Sequence, residues 1–309
     1  MKQRLQRMVH RMQTVLGYSE IETQMNQFQQ AFQQTSREVF QTTQIMQTTL
    51  QLQYQHWART HATLPLLRDT GFSVYSANNE DGLLLYLFAL IGTTNQFCVD
   101  LAFGVPQGAN TTNLLCHRGW TGLLIEASEE QVRQSRQFFR SHPMTWAYPP
   151  QILCEWVTSE NINALLQANG VTGEIDLLSL DVDSIDYWLW HALDVIQPRV
   201  VIVEYMGYWG AENAVTVPNN PAFFQTHAPQ DDYSYQGASL PAFVKLAHQK
   251  GYRLIGCNQL GNNALFIQQH LGTEYFPTVD AESCCQQPRN IHRMKTILPK
   301  AMQYEWQNV

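Results

Sequence analysis

The sequence is short of positive charge, of long apolar runs and of paired cysteine motifs, and each shortage removes a class of function. Nineteen Lys and Arg stand against 26 Asp and Glu, a net charge of −7. That balance offers no electrostatic footprint for nucleic acid or an anionic membrane surface. No apolar run approaches the roughly 18 residues that span a bilayer, and the N-terminus shows no apolar signal-peptide core. The expectation is a cytoplasmic protein with neither nucleic-acid nor membrane partners. The six cysteines, Cys98, Cys116, Cys154, Cys257, Cys284 and Cys285, lack CxxC spacing. Several lie in apolar runs, where a free thiol behaves as a small core residue. What is abundant is core material. At 44% hydrophobic and 11% aromatic residues, the 309-residue chain suits one large domain with an appendage, or two domains.

The first 60 residues are almost free of glycine and proline and rich in Gln and Thr. Apolar residues recur at helical spacing, and Met25, Phe32, Val39 and Met46 fall seven apart. Gly17-Tyr18-Ser19 predicts a break, with Ser19 and Glu22 resembling a capping box. The reading is a short helix, a turn and a longer helix to about Trp57. Such a stripe either packs on the chain's own globular domain or forms a seam between subunits of a homo-oligomer. We divide the chain into a helical arm over 1–62, an α/β domain over 63–275 and a C-terminal extension over 276–309.

From Asn79 onward strand and helix patterns alternate. Asp81–Ile91 reads as an apolar helix. Strands are predicted at Phe97–Leu101, Gly122–Ile125, Gln151–Trp156, Ile175–Leu180, Val200–Glu204, Arg253–Cys257 and Ala264–Ile267. Helices fit at Glu129–Ser141, Asn161–Asn169, Asp186–Ile196 and Leu240–Lys250. Interleaving of this kind predicts a mostly parallel sheet with helices on both faces, binding its ligands beyond the carboxyl ends of the strands. Four of those ends carry acids: Asp100, Glu126, the Asp181/Asp183 pair and Glu204. Converging carboxylates repel unless a ligand compensates them. The segment from Phe97 to Glu126 has the strand–turn–helix–strand form of a nucleotide site, in which a second-strand acid accepts from ribose hydroxyls. Oxygen ligands from adjacent strands suit Mg2+.

Several collinear motifs carry a family likeness: SANNEDG at 76–82, NTTNLL and GWTGLLIE within 110–126, LLSLDVDSIDYWLW at 177–190, VVIVEY at 200–205 and GNNALF at 261–266. Together they resemble the FkbM-like group of S-adenosylmethionine-dependent methyltransferases, across roughly residues 70 to 270. The resemblance implies a Rossmann-like class I methyltransferase fold with seven strands, six parallel and one antiparallel. It also implies O-methylation of a sugar or natural-product hydroxyl. Carried over by position, Asp100, Ala102, Gly104, Asn110, Asn113, Glu126 and Thr158 would form the cofactor site. Asp181 and Glu204 would bind a divalent cation, Mg2+ or another. Asp183 matches the second acid of a DxD pair. Two departures stand out: VDLAFGVP replaces VEFGxGxG, so Ala102 and Pro106 occupy glycine positions, and Met206 replaces an asparagine.

Methyl transfer needs an acceptor oxygen in line with the methyl group and a base for its proton. Asp183, with Asp181 beside it, is the first candidate, and His191 on the following helix the second. The aromatic segment 205–239 reads as a lid or acceptor-stacking loop, with a hydrophobic cluster pinning the loop as the alternative. Other readings are a methyltransferase fold retained for binding or assembly, and a metal-dependent enzyme that dispenses with the sulfonium cofactor.

Overall fold

The computed structural model describes residues 2–224 and 234–309, with backbone alone for 2–21. The chain forms two compact units, one up to Gln53 and the other Tyr54–Val309. The first consists of most of one helix, α1 (Lys2–Arg59), continuous over 58 residues. The predicted break at Gly17-Tyr18-Ser19 is absent. One glycine costs a helix interior only about 1 kcal/mol, and no proline lies in α1 to remove a hydrogen bond. Hydroxyl residues that would otherwise compete with the helix bond back into it: Ser36 Oγ donates to Phe32 O, Thr43 Oγ1 to Val39 O and Thr49 Oγ1 to Ile45 O, at 2.8–2.9 Å. Met25, Phe28, Phe32, Val39 and Met46 are exposed.

The second unit is built on a seven-stranded sheet. Its strands are β1 (Phe97–Leu101), β2 (Thr121–Glu126), β3 (Gln151–Cys154), β4 (Gly173–Leu180), β5 (Ile196–Glu204), β7 (Tyr252–Cys257) and β8 (Asn263–Gln268), while a short β6 (Val215–Thr216) lies outside it. The spatial order is β3-β2-β1-β4-β5-β8-β7. β8 runs antiparallel to both its neighbours, and the other neighbour pairs are parallel. This is the expected arrangement of six parallel strands and one reversed. The central strands are buried along nearly their whole length, as covering on both faces requires. Around the sheet lie α2 (Glu80–Ile91), α3 (Thr112–His117), α4 (Glu129–Ser141), α5 (Ile162–Ala168), α6 (Asp186–Ala192) and α7 (Leu240–Gln249). α2 is buried from Glu80 to Ala89, whereas α4 turns Val132, Ser135 and Phe139 inward and leaves its charges in water.

Helix α6 ends earlier than its apolar spacing suggests. Leu193 leaves helical geometry, Asn163 Oδ1 takes the N–H groups of Asp194 and Val195, and Ile196 already pairs with Gly173 in β5. Strand pairing therefore overrides the helical period. At the amino edge of the sheet, Asp176 meets Arg199 at 2.7 Å with both side chains buried. Asp176 also accepts from the backbone N–H groups of Thr94, Asn95 and Gln96. Arg199 donates to the carbonyls of Ile91 and Gly92. The pair anchors the turn from α2 into β1.

The C-terminal residues fold back on the same unit. They form α8 (Ala281–Cys285), α9 (Pro288–Thr296), α10 (Leu298–Ala301) and β9 (Gln307–Asn308), which pairs with β6. Within 205–239, Tyr205, Tyr208, Trp209, Phe223 and Tyr235 are buried. Tyr208 and Trp209 pack with Met206, Val215 and Ala301, so this part is a pinned hydrophobic cluster and not an open stacking surface. Tyr233 lies outside the described residues. Among the described residues, no helix is long and apolar enough to cross a membrane.

Candidate active site at the carboxyl edge of the sheet

The parallel strands deliver Asp100, Glu126, Asp181 and Glu204 to one edge, each through its own strand end. Asp100 is buried and does not face the cavity found there. It accepts from Thr111 Oγ1 at 2.7 Å, and burial raises its carboxyl to about 6, with Glu126 adding to the rise and Thr111 and Ser179 opposing it. Asn110 donates to Ser179 Oγ at 3.2 Å, and Asn113 is buried on α3. These residues shape the turn from behind.

The turn itself is tight. Ala102 N donates to Ile125 O at 2.8 Å, continuing the β1–β2 ladder for one step. Ala102 then takes φ 56° and Gly104 φ 66°, both left-handed. Such a backbone suits glycine, and alanine adopts it against the contact of its Cβ with backbone. Glu126 closes the turn: one carboxylate oxygen accepts from Gly104 N at 3.0 Å and the other from Ser128 N at 2.8 Å.

A cavity of about 300 Å³ opens in front of the turn. Its lining includes Ala102, Gly104, Glu126, Trp156, Asp181 and Asp183. The volume sits at the lower end of small-molecule sites. A larger depression lies along α4, beside Arg133, Arg136 and Arg140, away from the strand-end acids. Thr158 does not line the strand-end cavity; its N–H and hydroxyl exchange bonds with Asn161 at the start of α5. The neighbouring Trp156 does line it, which the sequence reading missed by extending β3 to Trp156. Phe224, one of the aromatic residues of segment 205–239 read as candidates for stacking, lines it too, and Gln131 is a further lining residue without a sequence signal.

At the other end of the cavity, one carboxylate oxygen each of Asp181, Asp183 and Glu204 lie within 4.8 Å of one another. Asp183 holds φ 53°. Its loop is fixed by Asp186, whose carboxylate accepts from Val182 N at 2.8 Å and Ser184 N at 3.1 Å. Asp186 is thus the cap of this turn. Burial raises it to about 6. Burial, then the charges of Asp183 and Asp186, raises Glu204 to about 8, against the pull of Asn262 and Arg289. Burial, then Glu204, Asp183, Asp186 and Asp100, pushes Asp181 well above the carboxylate range. Asp183 is raised by burial, while hydrogen bonds from Gln236 and Glu204 oppose the shift. Among the described residues, no Lys, Arg or His forms an ion pair with these three acids. An all-oxygen, self-repelling set of this kind fits a hard divalent cation.

His191 stands apart. It is exposed in the last turn of α6, with its ring stacked on Tyr187 at 6.1 Å and edge-on to Trp188 at 5.8 Å. Gln236, which the sequence reading passed over, donates to Asp183 Oδ1 at 2.8 Å.

No family model matches the chain, and no curated protein matches it in sequence. Among solved structures, monomeric WbdD is similar at 21% identity and a TM-score of 0.33, covering 56% of this chain and 36% of its own. The N-terminal domain of EvdMO1, in the presence of SAH and D-fucose, is similar at 13% identity and 0.40, covering 72% of this chain and 95% of its own. A geranyl diphosphate C-methyltransferase from Streptomyces coelicolor A3(2), in complex with Mg2+, geranyl diphosphate and S-adenosyl-L-homocysteine, is similar at 12% and 0.36, covering 57% and 62%. The chain thus spans about a third of the WbdD chain that it matches. Likeness this low decides nothing about activity, and the site is read from its own atoms.

Proposed function

We propose that the chain is an S-adenosylmethionine-dependent methyltransferase of the FkbM-like type. In this reading it methylates a hydroxyl of a sugar or natural-product acceptor, with a divalent cation at the acid cluster. The observation that carries the reading is one cavity joining Gly104 and Glu126 to Asp181 and Asp183. A nucleoside-binding turn and a proton-accepting, metal-suited cluster then share one space.

Each oxygen of Glu126 spends one lone pair on a backbone N–H and keeps another for a ribose hydroxyl. Trp156 offers an apolar surface at the same end. S-adenosylmethionine held there would supply an activated methyl group, passed to the acceptor oxygen as the carbon–sulfur bond breaks and sulfur keeps the electron pair. The acceptor's proton would pass to Asp183, whose carboxyl burial raises and so strengthens as a base. Asp181 and Glu204 would hold the cation, which orients the acceptor and lowers its hydroxyl pKa. His191 takes no part. We further infer that the exposed heptad face of α1 joins subunits into a homo-oligomer.

Calorimetric titration with S-adenosylmethionine and S-adenosylhomocysteine tests the cofactor. The expected result is micromolar binding of both. No binding of either at millimolar concentration overturns the reading. Ala102 and Pro106, at positions where this turn otherwise carries glycine, would then favour a fold kept for binding or assembly.

A further inference from the structure

Gln236 lies 53 residues beyond Asp183 in the chain, yet its side chain abuts the acid cluster. It is 3% exposed. Its Nε2 donates to Asp183 Oδ1, the amide orientation that an ionised Asp183 requires, since the reverse would then set two acceptor oxygens against each other. The amide oxygen Oε1 is buried and receives no hydrogen bond from any described residue. A buried amide oxygen without a partner is destabilising and is rare in folded proteins unless water or an ion completes it.

The placement of Gln236 is held from three sides. Gly237 N donates to Ser184 O at 2.8 Å, Met206 N to Ala238 O at 2.8 Å and Val217 N to Gly237 O at 3.1 Å. The backbone beside Gln236 is therefore tied to the loop that carries Asp183 and to the segment after Glu204. Four oxygen-bearing side chains, three of them carboxylates, meet here, and among the described residues no cation forms an ion pair with the acids. A hydroxyl donor would relieve one of the four oxygens. A divalent cation relieves all of them.

We propose that Gln236 Oε1 is a third protein ligand to a divalent cation held by Asp181 and Glu204, beside the base Asp183. The inference rests on the reading of the acid cluster as a cation site. It assigns Gln236 two tasks: its nitrogen steadies Asp183, and its oxygen faces the metal. A neutral oxygen in this place adds a ligand without adding to the repulsion among the acids, and hard cations accept amide carbonyls alongside carboxylates.

The test is titration of the full chain with Mn2+ at pH 8, followed by electron paramagnetic resonance and by calorimetry. It is run on the wild type, Gln236→Leu and Gln236→Glu, with S-adenosylhomocysteine titrated in parallel. The wild type should bind one Mn2+ per chain. Gln236→Leu should weaken Mn2+ about tenfold or more and leave S-adenosylhomocysteine affinity unchanged. Gln236→Glu should tighten Mn2+ several-fold, and it decides the matter if the leucine variant fails to fold. Equal Mn2+ affinity across the three proteins overturns the proposal, as does a wild type that binds no Mn2+ at millimolar concentration. S-adenosylhomocysteine binding without Mn2+ binding sinks this inference and leaves the methyltransferase reading standing. Gln236-dependent Mn2+ binding without S-adenosylhomocysteine binding does the reverse.

Discussion

Ala102 is the residue on which the structure makes its sharpest demand. Its φ of 56° is left-handed, a conformation that costs a residue with a Cβ roughly 1–2 kcal/mol. Ala102→Gly removes that strain but gives the unfolded chain extra freedom, worth about 0.4–1 kcal/mol against folding. The net gain should be about 0.5–1 kcal/mol, which for a unit of this size raises the melting temperature by roughly 1–4 °C. Because Ala102 lines the cavity, removing its methyl also lets a ligand approach the backbone more closely, and S-adenosylhomocysteine should bind up to about tenfold tighter, the equivalent of about 1.4 kcal/mol. The mirror experiment is Gly104→Ala. Gly104 has φ 66°, and a Cβ built there meets no atom within 4 Å. Strain acts there without a clash, so the substitution should lower the melting temperature by a similar amount. Differential scanning calorimetry and ligand titration on both variants provide the assay. An unchanged or lower melting temperature for Ala102→Gly would refute the strain argument.

The remaining predictions concern charge, anchoring and assembly. Asp100 and Asp186 are raised to about 6 and Glu204 to about 8, so their contribution to stability is full below about pH 4 and is lost as pH rises through 6 to 8; without divalent cation the melting temperature should fall between pH 5 and pH 8, and a rise would contradict the burial account. Burial alone would raise Asp176, but Arg199 and the N–H groups of residues 94–96 outweigh it and hold the group low. Arg199→Met should therefore cost about 3–5 kcal/mol in urea unfolding, by stranding a buried charge, and adding Asp176→Asn should restore part of it. Glu126→Ala removes the proposed ribose acceptor and the partner of Gly104 N together, so S-adenosylhomocysteine should weaken by about 1.5–3 kcal/mol, more than for either turn substitution. Phe32→Glu with Val39→Glu places charge on exposed heptad positions; sedimentation should then report a smaller assembly than wild type, and an unchanged mass would mean that α1 does not join subunits.

The sheet was readable because its strands are short, nearly uninterrupted apolar runs, such as Gly122–Ile125 and Val200–Val203. Parallel strands covered on both faces need that composition. The acids at strand ends were readable for the same reason, since a period that closes on a carboxylate marks where the chain leaves the core. Other features depend on partners that the local pattern does not contain. Trp188, Leu189, Trp190 and Leu193 keep a helical rhythm through to Ile196, and only the pairing of β5 with Gly173 stops the helix at Ala192. Gly17 looks like a break but sits within helical backbone. Arg199, just ahead of the predicted Val200–Glu204 strand, is explained only by Asp176 on the adjacent strand. Gln236 gave no signal, because its role comes from the loop that returns it to Asp183.

The return of the last residues to the middle of the chain has a consequence for the order in which the protein is made. The strands that carry the Ala102 turn, Glu126 and Asp181 have all been synthesised by residue 181. The segment beside Gln236 is fastened far later. Tyr235, next to Gln236, donates through its hydroxyl to Glu305 O at 2.6 Å and stacks on Tyr304 at 4.5 Å. Val309 N donates to Ala214 O at 3.1 Å, and Lys245 Nζ donates to Val309 O at 2.8 Å. A nascent chain thus holds Ala102, Glu126 and Asp181 well before the segment beside Gln236 is fastened. Residues 304–309 are the clamp on that segment.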